Sequence, residues 1–347
     1  MKCKMAAKVA QFLRVYIFAE NLARHMGNCS SSWDDAVVLF REDFSGGLGA
    51  WDFELADAWQ YGFGQFGNFE QQFYTKDAVR VEDGLLKITA AYTEDVSVVE
   101  QLCWDECAQR CIAAGKRPGT VDFEGCMNGC GNTGRRCKNL GERGITSGRI
   151  FTKEGVLKAP TEAYPVVRME TRIRLPEPGL GLWAAAWLLP PKENASDPPG
   201  TGTFGPWPRS GEIDVMETAN DFKKLNGTIH YGTPENHLMG SVALKNFTGG
   251  DGKFHTYGIE WRRVGDSGET LFKWFVDDKF YGAFPSPGNP FDVEEYGVLL
   301  NLAVGGNFTE WEAGRVISVA DTQEMLKDRP RTMEVCRESR SAPNFFL

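Results

Sequence analysis

The stretch Val167-Arg-Met-Glu-Thr-Arg-Ile-Arg-Leu175 swaps apolar and polar residues at period two. Alternation of that kind describes a strand with one buried face, because successive side chains point to opposite sides of a sheet. Outward from it, short apolar-aromatic runs recur between Gly, Pro, Asn and Asp punctuation: Val37–Phe40, Leu85–Ala90, Leu182–Leu189, Glu212–Glu217, Thr256–Arg262, Leu271–Val276 and Gly297–Ala303. Many short strands separated by turn signals predict an all-β sandwich of two antiparallel sheets. No internal repeat is present. The expected domains are a poorly specified, partly helical leader over 1–36 and one domain over 37–347.

One segment departs from this rhythm. Cys103, Cys107 and Cys111, then Cys126 and Cys130, stand four apart, which puts each set on one helix face. Gly115, Pro118 and Gly119 separate the halves. The spacing predicts a small disulfide-rich helical insert at about 100–140. In it Cys107 and Cys111 face Cys130 and Cys126, and Cys103–Cys137 closes the base. Six cysteines allow 15 connectivities, so the pairing is an expectation and not a deduction. Zinc is the alternative, but zinc sites favour other spacings with a histidine nearby. A staple, a cleft-rim lid and a partner-binding knob are all open roles for the insert.

The remaining composition narrows the partners. A formal charge of −9 disfavours nucleic acid and anionic membranes. No apolar run reaches the ~18 residues a membrane span needs. Dense cysteines point to an oxidising compartment. The sequons at Asn28, Asn194, Asn226, Asn246 and Asn307 agree with a secreted glycoprotein. Lys2, Lys4 and Lys8 resemble the basic start of a signal peptide, but Gln11, Arg14 and Glu20 interrupt the apolar part, as a mis-called start codon would produce.

Chemistry concentrates in Trp207-Pro-Arg-Ser-Gly-Glu212-Ile-Asp214-Val-Met-Glu217. Strict alternation puts Glu212 and Asp214 on one face and would put Met216 there too. A β-bulge at Val215–Met216 inserts one residue and returns Glu217 to the acidic face. Ile213, Val215 and Met216 then enter the core. Three acids in line cannot all stay ionised, so at least one pKa must rise. Glycoside hydrolysis with retention needs such a split: one carboxylate attacks and one carboxylic acid protonates the leaving oxygen. An isolated E-x-D-x-x-E string is more often a solvated strand face.

Its company decides otherwise. The chain resembles glycoside hydrolase family 16, and within it the laminarinase-like endo-β-1,3-glucanases. The resemblance rests on Glu212–Glu217, Gly67–Thr75, Thr146–Ile150, Gly181–Leu189, Phe254–Trp261 and Asn301–Asn307, six blocks in order over about residues 37–311. It implies a β-jelly-roll with a concave substrate cleft. It also implies retaining endo-hydrolysis of β-1,3-glucosidic bonds in laminarin-like β-glucan through a covalent glycosyl-enzyme. Glu212 would be nucleophile, Asp214 its helper and Glu217 the acid/base. Trp207 would be a ring platform, with Trp183, Asn68, Arg149 and His230 in the cleft.

Plainer readings stand beside these. Trp183 and Trp187 share a strand face, so one could be ordinary core; His230 could be a structural histidine, Arg149 a surface charge, and Trp311 either. The rival functions are a non-catalytic β-glucan recognition protein, or a family 16 enzyme acting on mixed-linkage glucan or sulfated galactan, or by transglycosylation. The protein is expected to act as a monomer on its polysaccharide without a required cofactor. A structural calcium ion is the open case. At the C-terminus Thr332-Met-Glu-Val-Cys336 follows the family's closing strand only through Val335, and Cys336 stands where an aspartate often helps to hold that calcium. Loss of this core strand is the corresponding expectation.

Overall fold

A computed structural model describes residues 13–18, 37–42, 44, 47–53, 68–131, 136–191, 200–265 and 268–336. In chain order the strands are β1 (Leu13–Phe18), β2 (Val37–Glu42), β3 (Trp51–Phe53), β4 (Phe73–Tyr74), β5 (Val79–Glu82), β6 (Leu85–Tyr92), β7 (Ile145–Ser147), β8 (Arg149–Thr152) and β9 (Val166–Arg174). They continue as β10 (Leu182–Leu189), β11 (Glu212–Ala219), β12 (Lys224–Thr233), β13 (Asn236–Lys245), β14 (His255–Val264), β15 (Glu269–Val276), β16 (Lys279–Pro285), β17 (Gly297–Val304) and β18 (Arg331–Cys336). Three helices, α1 (Val96–Ala113), α2 (Val121–Gly131) and α3 (Arg136–Arg143), lie between β6 and β7. Two more, α4 (Asn307–Ala313) and α5 (Val319–Lys327), separate β17 from β18.

The strands form two sheets. One has seven strands in the order β13-β12-β11-β10-β17-β8-β3. The other has eleven, with the path β16-β15-β14-β9-β18-β6-β7-β4 and β1, β2 and β5 attached. All pairings are antiparallel except β4 with β7. The expected sandwich is therefore the observed fold.

The core lies between the sheets. Met169 and Ile173 of β9 meet Ala184, Ala186 and Leu188 of β10, Ile213, Val215 and Met216 of β11, and Trp261, Phe272 and Trp274 of β14 and β15. A fully buried tryptophan removes ~150–250 Å² from water, or ~4–6 kcal/mol at ~25 cal/mol/Å² before chain entropy is charged against it. Trp274 also reaches across the sandwich: its Nε1 donates to the backbone oxygen of Asp214 at 2.8 Å. Gly227 on β12 makes room, since a Cβ there would stand 2.3 Å from that indole. The eleven-stranded sheet thus braces β11 at its middle acid.

Three expectations are adjusted. Leu13–Phe18, inside the expected leader, is a strand that pairs with both β2 and β9. Residues 1–12 and 19–36 lie outside the described residues, as do 337–347. The polar face of β9 is covered: Arg168 donates to Glu170 at 2.6 Å and to Asp278 at 3.0 Å, and both β9 residues are buried. The closing strand is not lost. β18 pairs with β6 and β9, and Met333 and Val335 are fully buried. Hydrophobic alternation through Val335 suffices to seat it, whatever follows.

The insert carries the expected cystines, Cys103–Cys137, Cys107–Cys130 and Cys111–Cys126. Cys137 sits on a third helix, α3, beyond the expected hairpin. With Val99 and Leu140, Cys103, Cys107 and Cys137 form a second small core with Phe73 of β4, and Cys130 packs against it.

Candidate active site

β11 enters the site through Gly211, whose φ of 76° is left-handed and whose missing side chain lets Tyr296 and Phe291 close in. The expected bulge is present. Against β10, Asp214 pairs with Trp187 and Met216 with Ala186, which leaves Val215 unopposed. Against β12 the register jumps between Asp214 and Glu217. Ile213, Val215 and Met216 are buried in the core as expected. The three acids share the other face.

Two indoles grip the outer acids. Trp207 Nε1 donates to Glu212 Oε2 at 2.8 Å, and Trp183 Nε1 donates to Glu217 Oε1 at 3.0 Å. Trp183 is therefore a site residue, packed on Phe308 at 5.0 Å between ring centres. Trp187, its partner on the β10 face, also faces the site side: its Nε1 donates to Asn301 Oδ1 at 2.7 Å, and the Arg149 guanidinium lies 4.6 Å above its ring. His230, opposite Glu212 on β12, sets Nε2 3.2 Å from Asp214 Oδ2 and 3.8 Å from Glu212 Oε1. The structure thus brings Glu212, Asp214, Glu217, Trp207, Trp183, His230 and Arg149 to one face. It does not bring Asn68 to the acids. Asn68 is exposed, and its carbonyl accepts from the Asn307 N–H at 2.7 Å. Trp311 is also exposed.

Burial dominates the electrostatics. It pushes Glu212 up to about 8, with the Asp214 charge adding to the rise; His230, the Trp207 hydrogen bond and Arg149 pull it back. Asp214 is raised to about 7 by burial, eased by its hydrogen bond with Glu212. Glu217 is raised well above the carboxylate range by burial and by the charges of Asp214 and Glu212. Glu217 therefore keeps its proton most firmly. Glu212 retains 15% side-chain exposure, so cleft water softens its penalty and it ionises ahead of Glu217.

Several neighbours escaped sequence reasoning. His237, exposed on β13, stands 2.9 Å from His230 Nδ1 and packs on Trp207 at 4.9 Å. Asn301 Nδ2 donates to the Tyr74 hydroxyl at 3.2 Å, which donates to Glu70 at 2.9 Å. Arg143 of α3 holds the Glu70 carbonyl at 3.3 Å, so the cystine-stapled insert braces this side of the site. Tyr74 and Glu70 lie in the quoted Gly67–Thr75 block, the one signal that could have flagged them. Asn226 pairs with Glu217 across β11–β12 and is 8% exposed. As a sequon it is a correction, because a buried amide cannot carry a glycan in the folded chain.

The calcium expectation does not fit the residues present at the C-terminal strand. Cys336 is a buried cysteine, and the Arg172 guanidinium lies 3.7 Å from its sulfur. Arg174 adds a second positive charge beside it. Two guanidiniums repel a divalent cation at the position where the aspartate would serve it.

No protein-family model matches the chain. A glucan endo-1,3-beta-glucosidase of Cryptopygus antarcticus is 28% identical over 299 residues, covering 81% of this chain and 84% of that protein. Glucan endo-1,3-beta-glucosidase A1 of Niallia circulans is 32% identical over 212 residues, which are 55% of this chain and 25% of the relative. Among solved structures, a family 16 glycoside hydrolase of the Bacteroides ovatus mixed-linkage glucan system, in complex with product, aligns with a TM-score of 0.56. It is 22% identical, with 86% of this chain and 97% of that one covered, and speaks for the fold alone. Ordered sequence blocks, the two-sheet sandwich and these relatives agree: the chain is similar to the laminarinase-like glycoside hydrolases of family 16.

Proposed function

We propose that this protein cleaves β-1,3-glucosidic bonds within laminarin-like β-glucan, with retention of anomeric configuration. One observation carries the reading: a bulged strand lines up three acids whose two outer members are each held by a different indole N–H. In the first step the Glu212 carboxylate attacks the anomeric carbon while the Glu217 acid gives its proton to the departing glycosidic oxygen. The products are a glycosyl ester on Glu212 and a free reducing-side sugar. Glu217, now a carboxylate, then takes a proton from water. That water attacks the same carbon from the opposite face and releases Glu212. The double inversion preserves the configuration.

Asp214 and His230 tune the nucleophile. The imidazole and Arg149 favour its charge, offsetting burial. Trp207 and Trp183 present aromatic edges and ring faces for glucosyl rings, and the names of the curated relatives support the β-1,3 linkage. The chemistry needs no cofactor beyond the carboxylate pair. Action as a monomer is part of the proposal.

The wider setting is also part of the proposal. Three disulfides belong to an oxidising compartment, and among the described residues no helix is long and apolar enough to cross a membrane. Asn246, exposed after β13, is the described sequon best placed to carry a glycan on a secreted protein.

The test is product analysis on laminarin, lichenan and a sulfated galactan in parallel, with NMR of the first-formed anomer. Short β-anomeric oligosaccharides from laminarin are expected. An initial α-anomer would refute retention. Binding to laminarin without products, in folded protein, would return the chain to the glucan-recognition class.

A further inference from the structure

Asp214 Oδ2 has no aligned hydrogen-bond partner, although its side chain is 98% buried. A carboxylate oxygen left this way inside a protein is costly unless something occupies the space before it. The donor nearest to it is His230 Nε2 at 3.2 Å, and the same nitrogen is 3.8 Å from Glu212 Oε1. All three atoms lie within 4.8 Å of one another. Tetrahedral zinc with bonds of ~2.0–2.2 Å separates its ligand atoms by about 3.3–3.6 Å. The histidine nitrogen already stands at 3.2 and 3.8 Å from the two carboxylate oxygens, and rotamer adjustments of up to about 1 Å would bring all three to the spacing that one small ion imposes.

We propose that Glu212, Asp214 and His230 form a three-ligand site for a divalent transition metal of the zinc class, and that its occupancy blocks the catalytic carboxylate. Two oxygens and one imidazole suit zinc, whereas calcium and magnesium want six or more oxygens. A second shell is also present: His237 Nε2 stands 2.9 Å from His230 Nδ1 and holds the ring with Nε2 toward the acids. The other dense donor group among the described residues, Cys103, Cys107 and Cys137, is consumed by disulfides. His255 faces Asp277 with Nδ1 at 2.7 Å and Asp251 with Nε2 at 3.2 Å, so its two acids lie on different ring edges and cannot share one ion.

The binding half rests on donor geometry alone; the inhibitory half rests on the glucanase reading. The experiment is calorimetric titration of the metal-stripped full chain with Zn²⁺ alone, without glucan, beside laminarin hydrolysis at matched zinc concentrations. One zinc per chain is expected. Affinity should fall about 100-fold or more in H230Q and be retained in H255Q. In H237F it should drop about 10–100-fold, the usual loss for a second-shell partner. If H230Q does not hold its circular dichroism spectrum, E212Q serves as the ligand-deletion variant with the same expected loss. Equal zinc affinity in wild type and the folded ligand-deletion variant would overturn the site, as would no binding at millimolar zinc. If zinc binds through His230 yet leaves laminarin hydrolysis untouched, the inhibitory half falls. Absence of hydrolysis without zinc would count against the glucanase reading and not against the site.

Discussion

Replacing Trp207 by phenylalanine removes one N–H and leaves an aromatic ring beside His237. That N–H donates to Glu212 at 2.8 Å and favours its ionised form. A hydrogen bond to a charged group contributes ~1.5–3 kcal/mol, and ~1.4 kcal/mol is one pKa unit, so its loss raises Glu212 by ~1–2 units. The carboxyl keeps 15% side-chain exposure, and water takes over part of the lost bond, so the lower end applies. From about 8, Glu212 moves to ~9. Its ionised fraction at pH 7 then drops from roughly a tenth to roughly a hundredth, and kcat/KM with it. The assay is the pH profile of kcat/KM on a laminari-oligosaccharide, whose acidic limb reports the free enzyme's nucleophile. The acidic limb of W207F should move up by about one unit. Trp183→Phe should instead raise the alkaline limb, because its lost N–H belonged to Glu217. An acidic limb that stays put in W207F, with a loss uniform across pH, would refute the reasoning and leave Trp207 as a stacking platform. Both variants moving the same limb would refute the division of roles between the two glutamates.

Glu212→Gln should cut turnover by roughly 10⁴-fold while laminari-oligosaccharide binding by calorimetry changes little. The same variant should change stability with a definite sign. A carboxyl whose folded pKa is raised to about 8 contributes stability below its unfolded value near ~4.3, and that contribution fades as pH rises through 8. E212Q should therefore melt higher than wild type at pH 8.5 and about equally at pH 4; a lower melting temperature at pH 8.5 would contradict the buried, raised carboxyl. Glu217→Ala should slow substrates with poor leaving groups most, and azide should partly rescue activated ones, read as β-glycosyl azide; leaving-group independence would exclude the acid role. Reducing the three cystines should open the insert first, since loops of 15 to 34 residues each constrain the unfolded chain by ~3–4 kcal/mol. Limited proteolysis should then cut within 96–143 before the sandwich, and cleavage elsewhere first would show that the insert does not unfold as a unit.

The fold class and the bulged acidic strand were legible in the sequence because both are local. Period-two alternation in Val167–Leu175 announces a strand, and three acids around two apolar residues in Glu212–Glu217 announce a bulge. The cysteines at i, i+4 announce facing helix sides, while the pairing expected there was one of 15 until the tertiary structure showed it. What only the tertiary structure decided are contacts between strands far apart in the chain. Trp183 meets Glu217 because β10 and β11 pair in a register set by the bulge, 34 positions away along the sequence. The same register buries Asn226 opposite Glu217 and removes it as a sequon. His237 stands behind His230 through the β12–β13 hairpin, while Arg149 reaches Trp187 because β8 and β10 both flank β17. Leu13–Phe18 is a strand because β9 has an edge to fill, which no reading of those six residues contains. Side-chain alternation says which face a residue occupies; only strand register says what it faces there, because register is a property of two chain segments at once.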